Sequence, residues 1–325
     1  MPMLKPIRLA LACAALAGLT VFHAPLMAQT YPTKPIRMIL PFSGGADPIA
    51  RALTQMLAEP LGQSVVVENI PGGQTIVGTE IAARAPADGH TVLLIASSAA
   101  INQALRRDLS FDLLRDFAPI TRLCTFALVL VAHPSVPAKS MEELVVLARR
   151  EPGTLAYGSA GPLYQLPMEM IRMMTGAEFL LVPYKSSATS RVDVLSGQLQ
   201  LLMDNLTAMH PHIKAGKVRA LGVAGTKRSP TMPELPTIAE GGLPGYDDGD
   251  GWLDFLAPAG TPAAITQRLH AEIAKIVARP EVTARYRELA NEPVVSIPAQ
   301  FGAFLRDDVE KWGKVIKATD MKAPL

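Results

Sequence analysis

The chain has 325 residues, with 31 lysines and arginines against 29 aspartates and glutamates and a formal net charge of +2. A balance so close to neutral removes the electrostatic basis for holding nucleic acid or an anionic membrane. The length leaves room for two domains, and two cysteines (Cys13 and Cys124) are too few for a disulfide-stapled scaffold.

Lys5 and Arg8 form a positive n-region, residues 9–22 are apolar or small and uncharged, and Ala28 is the small residue wanted before a cleavage site. Residues 1–28 are therefore expected to be a secretory signal peptide, too short in its apolar run to span a bilayer comfortably. A lipoprotein anchored at Cys13 is the rival reading of the same segment. Cleavage would remove Lys5, Arg8 and Cys13, leaving 29 basic against 29 acidic residues and Cys124 as the single thiol. Cys124 lies in an apolar stretch and reads as a buried small hydrophobe. The mature protein is expected in the periplasm, soluble and monomeric.

Ile36-Arg37-Met38-Ile39-Leu40 reads as a strand. Ser43-Gly44-Gly45 is a turn, and Asp47-Pro48 starts a helix whose Ile49, Leu53, Met56 and Leu57 recur at helical spacing up to Gly62. Val65-Val66-Val67 is a second strand, followed by the turn Pro71-Gly72-Gly73. A helix over residues 75–85 then leads to a third strand at residues 91–96, apolar enough to be buried on both faces. This βαβαβ order argues for parallel-rich sheets flanked by helices. The pattern restarts after a strand at residues 127–131. Ser140 and Glu143 make a capping box. A strand at 155–157, a loop at 158–161 and a helix through Met168 follow. Strands are expected near residues 179–182, 199–204 and 218–224, with a helix at 188–195. Residues 229–246, rich in Pro and Gly, read as a surface connection. Residues 253–256 form one more apolar run, and Thr261-Pro262 can start a helix. A last helix places Phe301, Phe304, Leu305, Trp312 and Ile316 at core spacing. The chain thus crosses twice between two α/β units, a two-strand hinge. The expected division is residues 29–130 plus 251–325 against residues 131–250, and hinged α/β domains close on ligands.

Motifs for catalysis are missing. No Gly-x-Ser-x-Gly elbow, Walker A loop or Gly-x-Gly-x-x-Gly occurs. His210 and His212 flank Pro211 with no cysteine or carboxylate cluster, which does not make a metal pair. No cofactor or metal is expected, and no enzymatic activity. What recurs is a glycine-bearing turn between a strand end and a helix start: Ser43, Gly44, Gly45 with Asp47; Gly73 with Thr75; and Gly158, Ser159 with Gly161. Glycine permits close backbone approach, and free N–H groups at helix starts attract anions at the strand ends of open α/β sheets. These turns either clamp a small anion or simply end strands. Asp204 and Asn205 follow an apolar strand and are expected at the same cleft, with a helix cap as the alternative for Asp204.

Many ordered blocks carry a family resemblance: Tyr31-Pro32-Thr33-Lys34-Pro35-Ile36-Arg37, Val66-Val67-Glu68-Asn69, Val182-Pro183-Tyr184-Lys185, Asp204-Asn205-Leu206, and the stretches 212–221, 227–230, 234–240 and 256–262. The mature chain resembles the periplasmic substrate-binding proteins of tripartite tricarboxylate transporters, the Bug-type receptors. The resemblance implies a two-domain Venus-flytrap fold of the periplasmic-binding-protein type. A small carboxylate would be held in its cleft by loop amides, hydroxyls and water and delivered to membrane transporter subunits. It adds Ser97, Ser98 and Tyr184 to the ligand-binding candidates. A periplasmic sensor subunit presenting the same ligand state to a signalling partner is the alternative function. The turns near residues 43–45, 97–98 and 158–161 are shorter than the family pattern, and Ile70 stands where arginine is common. This predicts a wider or less polar cleft with Ile70 in its wall, and weaker binding of small carboxylates or a preference for bulkier acids.

Overall fold

A computed structural model describes residues 31–42, 47–247, 250–319 and 321. The expected leader at residues 1–28 and the candidates Ser43, Gly44 and Gly45 lie outside the described residues.

Two sheets organise the chain. The first is built by β1 (Ile36–Leu40), β2 (Val65–Asn69), β3 (Thr91–Ala96), β4 (Phe117–Phe126), β10 (Gly251–Pro258) and β11 (Asn291–Pro293), in the order β11-β4-β10-β3-β1-β2. The second is built by β5 (Leu128–Ala132), β6 (Ala156–Ser159), β7 (Leu180–Pro183), β8 (Leu201–Asn205) and β9 (Arg219–Val223), in the order β7-β6-β8-β5-β9. Each sheet is parallel around one strand: β1 pairs in parallel with β2 and β3, and β6 with β7 and β8. Pairing is antiparallel where the chain passes between sheets, at β10 with β3 and β4 and at β5 with β8 and β9. All six residues of β3 are buried, as a strand covered on both faces requires.

Helices cover the sheets. In the first lobe these are α1 (Asp47–Leu61), α2 (Ile76–Ala83), α3 (Ser98–Leu105), α8 (Ala263–Val277), α9 (Pro280–Glu288) and α10 (Pro298–Thr319). In the second they are α4 (Met141–Arg150), α5 (Pro162–Thr175), α6 (Ser187–Ser196) and α7 (Leu206–Lys214). The Ser140 box closes as expected on one side, Ser140 Oγ accepting from the Glu143 N–H. Its return bond is displaced by one residue, because Glu143 Oε2 accepts from the Lys139 N–H. The chain leaves the first sheet through the single residue Ala127, between β4 and β5, and returns between β9 and β10. Helix α10 packs on α3 and β4 in the first lobe and on α5 in the second, so the two lobes meet helix to helix.

The structure departs from the sequence expectation in three places. Residues 229–246 are more than a surface connection, since Met232, Leu235, Ile238, Leu243 and Tyr246 are buried and the Ile238 N–H bonds Val223 O. Apolar side chains in that stretch lack any regular period, so composition alone read them as loop. Helix α3, which replaces an expected turn at residues 97–98, the ten-residue β4 and the short α9 and β11 were not anticipated; β4 runs almost directly into β5 and reads as one apolar stretch with it. Gly158 sits inside β6 rather than in a loop. A Cβ there would fall 2.6 Å from Leu199 Cδ1, so its glycine serves strand packing.

Candidate functional site

The carboxyl ends of β2, β3, β6 and β8 carry the loops that meet between the lobes. After β2 the backbone holds positive φ at four successive residues, Gly72 (144°), Gly73 (54°), Gln74 (57°) and Thr75 (84°). For Gln74 and Thr75 this is a left-handed conformation that side-chain-bearing residues rarely adopt, and such strain concentrates at ligand clamps. The turn is pinned by Asn102 of α3, whose Nδ2 donates to Gln74 O at 2.7 Å. From there Gln74 reaches across to the second lobe. Its side-chain carbons lie 3.7–3.8 Å from the point where a Cβ on Gly161 would stand, so the two lobes meet at this pair of residues.

Three side-chain polar atoms on this wall are buried without a hydrogen-bond partner among the described residues: Gln74 Oε1, Ser97 Oγ and Asn102 Oδ1. Ser97 is 2% exposed and Asn102 1%. Ser97 caps α3 in position but not with its hydroxyl, and its backbone N–H goes to Trp252 O. Buried polar groups are ordinarily satisfied, and each orphan leaves a desolvation cost of roughly 1–3 kcal/mol. These three stand beside the strained turn, with acceptor and hydroxyl capacity not used internally.

The facing wall is the start of α5. Gly161 is its N-cap, with φ 149° and ψ 177°, and Pro162 opens the first turn. Ser159 braces this cap: its Oγ accepts from the Gly161 N–H at 3.2 Å and donates to Gly161 O at 2.9 Å. The Gly161 N–H is spent on Ser159, Pro162 has none, and the Tyr164 and Gln165 N–H groups bond Gly161 O, so the Leu163 N–H and the partial positive charge of the helix start are what favour an anionic oxygen. Tyr164 sits one turn in. Burial, followed by the Asp204 charge, raises its phenol well above the usual range, while a Ser187 hydrogen bond and Arg191 oppose the shift. The phenol therefore stays protonated as a neutral donor.

The predicted residues divide between lining and support. Gly73, Thr75, Ser97, Ser159 and Gly161 are at the two facing walls, with Ser98 half-buried in the first turn of α3. Asp47 instead ties down the loop after β1: Asn69 Nδ2 donates to Asp47 Oδ1 at 2.7 Å and to Phe42 O at 3.1 Å. Tyr184 gives its hydroxyl to Asp193 and its N–H to Ser159 O. Asp204 is wholly buried with both oxygens engaged, Oδ2 by Arg191 at 2.9–3.0 Å and Oδ1 by the Asn205 N–H at 2.8 Å. Burial raises its carboxyl above the usual range, opposed chiefly by Arg191. Asn205, and not Asp204, is the helix cap, its side chain accepting from the Thr207 N–H. Ile70 is half-buried and packs against the first-lobe core. Sequence reasoning did not single out Gln74, Asn102, Tyr164 or Arg191. Gln74 was readable only as one residue of a glycine turn, and the other three lie on helices whose facing was not readable from one strand–helix unit.

The sequence model describing the tripartite tricarboxylate transporter family receptor matches residues 49–321. The chain belongs to this receptor family. The receptor is 34% identical over 305 residues to Protein BugT of Bordetella pertussis, covering 92% of this chain and 93% of that protein. Among solved structures it is similar to Rpa4515 of R. palustris with adipate, at TM-score 0.84 and 32% identity over 90% of this chain and all of that one. It is also similar to MatC from Rhodopseudomonas palustris with bound malate, at TM-score 0.78 and 25% identity over 88% of this chain and all of that one. The periplasmic binding protein BugD shares the architecture at TM-score 0.81. The fold is therefore the two-lobed α/β fold of the periplasmic binding proteins in this family.

Proposed function

We propose that this receptor is a periplasmic solute-binding protein that captures a small carboxylate between its lobes and delivers it to a tripartite tricarboxylate transporter. One observation carries the reading: the strained turn holding Gln74, with the orphaned Ser97 and Asn102 behind it, faces the N-terminus of α5 across the lobe boundary. One wall offers the Leu163 N–H and the positive end of α5 for an anionic oxygen, and the other offers unspent polar side chains. The adipate and malate bound to the two similar structures support carboxylate as the ligand class. The division into residues 29–130 plus 251–325 and residues 131–250 follows the two sheets closely. With the crossing at Ala127 and the return before β10, it gives a hinge about which the lobes close.

Isothermal titration of the purified mature protein with adipate, malate and succinate tests the reading. At least one acid is expected to bind saturably at one site per chain and to raise the melting temperature. Absence of binding by all three, alongside binding of an uncharged solute, would remove the carboxylate assignment.

A further inference from the structure

We infer that the solute selected here carries a neutral hydrogen-bond donor, a hydroxyl or an amide N–H, in addition to its carboxylate. This rests on the interlobe site being the solute site. Some polar atoms of the first-lobe wall are already spent and others are not. Asn102 Nδ2 donates to Gln74 O at 2.7 Å. That bond fixes the amide orientation, because the flipped form would set two carbonyl oxygens against each other. Asn102 Oδ1 is then an acceptor with no donor reaching it among the described residues, on a side chain 1% exposed.

A carboxylate only accepts, so it cannot satisfy Asn102 Oδ1 and is repelled by it. The start of α5, with the Leu163 N–H, the positive end of the helix and the Tyr164 phenol nearby, is the wall suited to the carboxylate. A plain dicarboxylate turned toward both walls leaves Asn102 Oδ1 unmet. A hydroxy acid sends its carboxylate to α5 and its O–H to Asn102. Ser97 Oγ, which both donates and accepts, adapts to either end of that hydroxyl. A site built to bond a ligand hydroxyl rejects the analogue that lacks it, because its own polar atoms are then left unpaired. An ammonium group fits less well, since Asp204, the carboxylate whose charge reaches Tyr164, has both oxygens taken and the α5 terminus is itself positive.

The test compares matched pairs differing by one hydroxyl, malate with succinate and 2-hydroxyglutarate with glutarate, by isothermal titration on the mature protein. In at least one pair the hydroxy acid should bind about tenfold tighter or more. In Asn102→Ala that ratio should collapse to about twofold or less, and Ser97→Ala should reduce it while preserving the melting temperature. If Asn102→Ala does not fold, the ratio in the native protein and in Ser97→Ala decides. Equal binding within both pairs would overturn the inference and leave the carboxylate function standing, with water meeting Asn102. A preference that survives in both variants would also overturn it, because the selecting atoms would lie elsewhere. Failure of all four acids to bind would remove the functional reading beneath it.

Discussion

Replacing Gly161 by alanine separates the role of the α5 cap from that of general stability. At φ 149° and ψ 177° its backbone lies in a region that is essentially glycine-only, where an L residue costs of order 1–3 kcal/mol. Crowding is not the cause, since the nearest atom to an added Cβ is Gln74 Cδ at 3.7 Å. Strain would therefore be relieved by rotation of the peptides around residue 161. That motion breaks one or both of the Ser159 bonds to the cap and turns the first turn of α5, with its Leu163 N–H, away from Gln74. At about 2–4 °C per kcal/mol for a chain of this order, the melting temperature should fall by roughly 2–12 °C. Loss of one or two neutral hydrogen bonds to the ligand, each worth about 0.5–1.5 kcal/mol, should weaken carboxylate binding by about tenfold. Gly176→Ala is the control. Gly176 ends the same helix at φ 66° with nothing within 4 Å of an added Cβ, so alanine there should cost about 1 kcal/mol of stability and leave affinity unchanged. Differential scanning fluorimetry and titration calorimetry on both variants read the two effects. If Gly161→Ala lowers stability while affinity stays within twofold, the start of α5 does not meet the ligand and the placement of the site is wrong.

Asp204→Ala should destabilise by about 1–3 kcal/mol, less than a fully enclosed pair because Arg191 remains partly exposed and can be solvated. Its affinity should change by less than about threefold, and a large affinity loss at unchanged melting temperature would place Asp204 in contact with the ligand instead. Asp254, buried on β10 beside Arg122 and the Leu123 N–H, is pushed by burial up to about 7 from 3.8. Its folded value lies above the unfolded one, so the stability it contributes is complete below about pH 4 and is lost as pH rises through 7. Chemical denaturation across pH 4–8 should therefore show a shallower decline for Asp254→Asn than for the native protein, and parallel curves would contradict the assignment. Asn205→Ala, which removes the α7 cap, should cost about 0.5–2 kcal/mol without altering the solute preference, as judged by urea denaturation and the same titrations. Intact-mass measurement of exported protein should show loss of residues 1 to about 28; a retained leader or an acylated Cys13 would refute soluble secretion.

Much of the architecture was legible locally. The continuous apolar run at residues 91–96 could only be a strand covered on both faces, and the Ser140–Glu143 spacing announced the start of α4. Such signals depend on residues a few positions apart, so periodicity and capping report them without any tertiary information. The glycine turns could be recognised as turns, and the restart of alternation showed two α/β units. What they face was decided by packing between distant segments. Asn102 pins Gln74 from 28 residues away, and Gln74 meets Gly161 only because α3 and α10 pack on α5. The same is true of the acid pairs. Arg191 and Asp204 are 13 residues apart, and Arg122 and Asp254 are 132 apart. In each, a side chain that reads as a free charge in the sequence is spent internally once its strand is buried. Residue types and short spacings determined the elements and the family. Which polar atoms are left over for a ligand is a remainder, known only after every internal hydrogen bond has been assigned, and that assignment exists only in the folded chain.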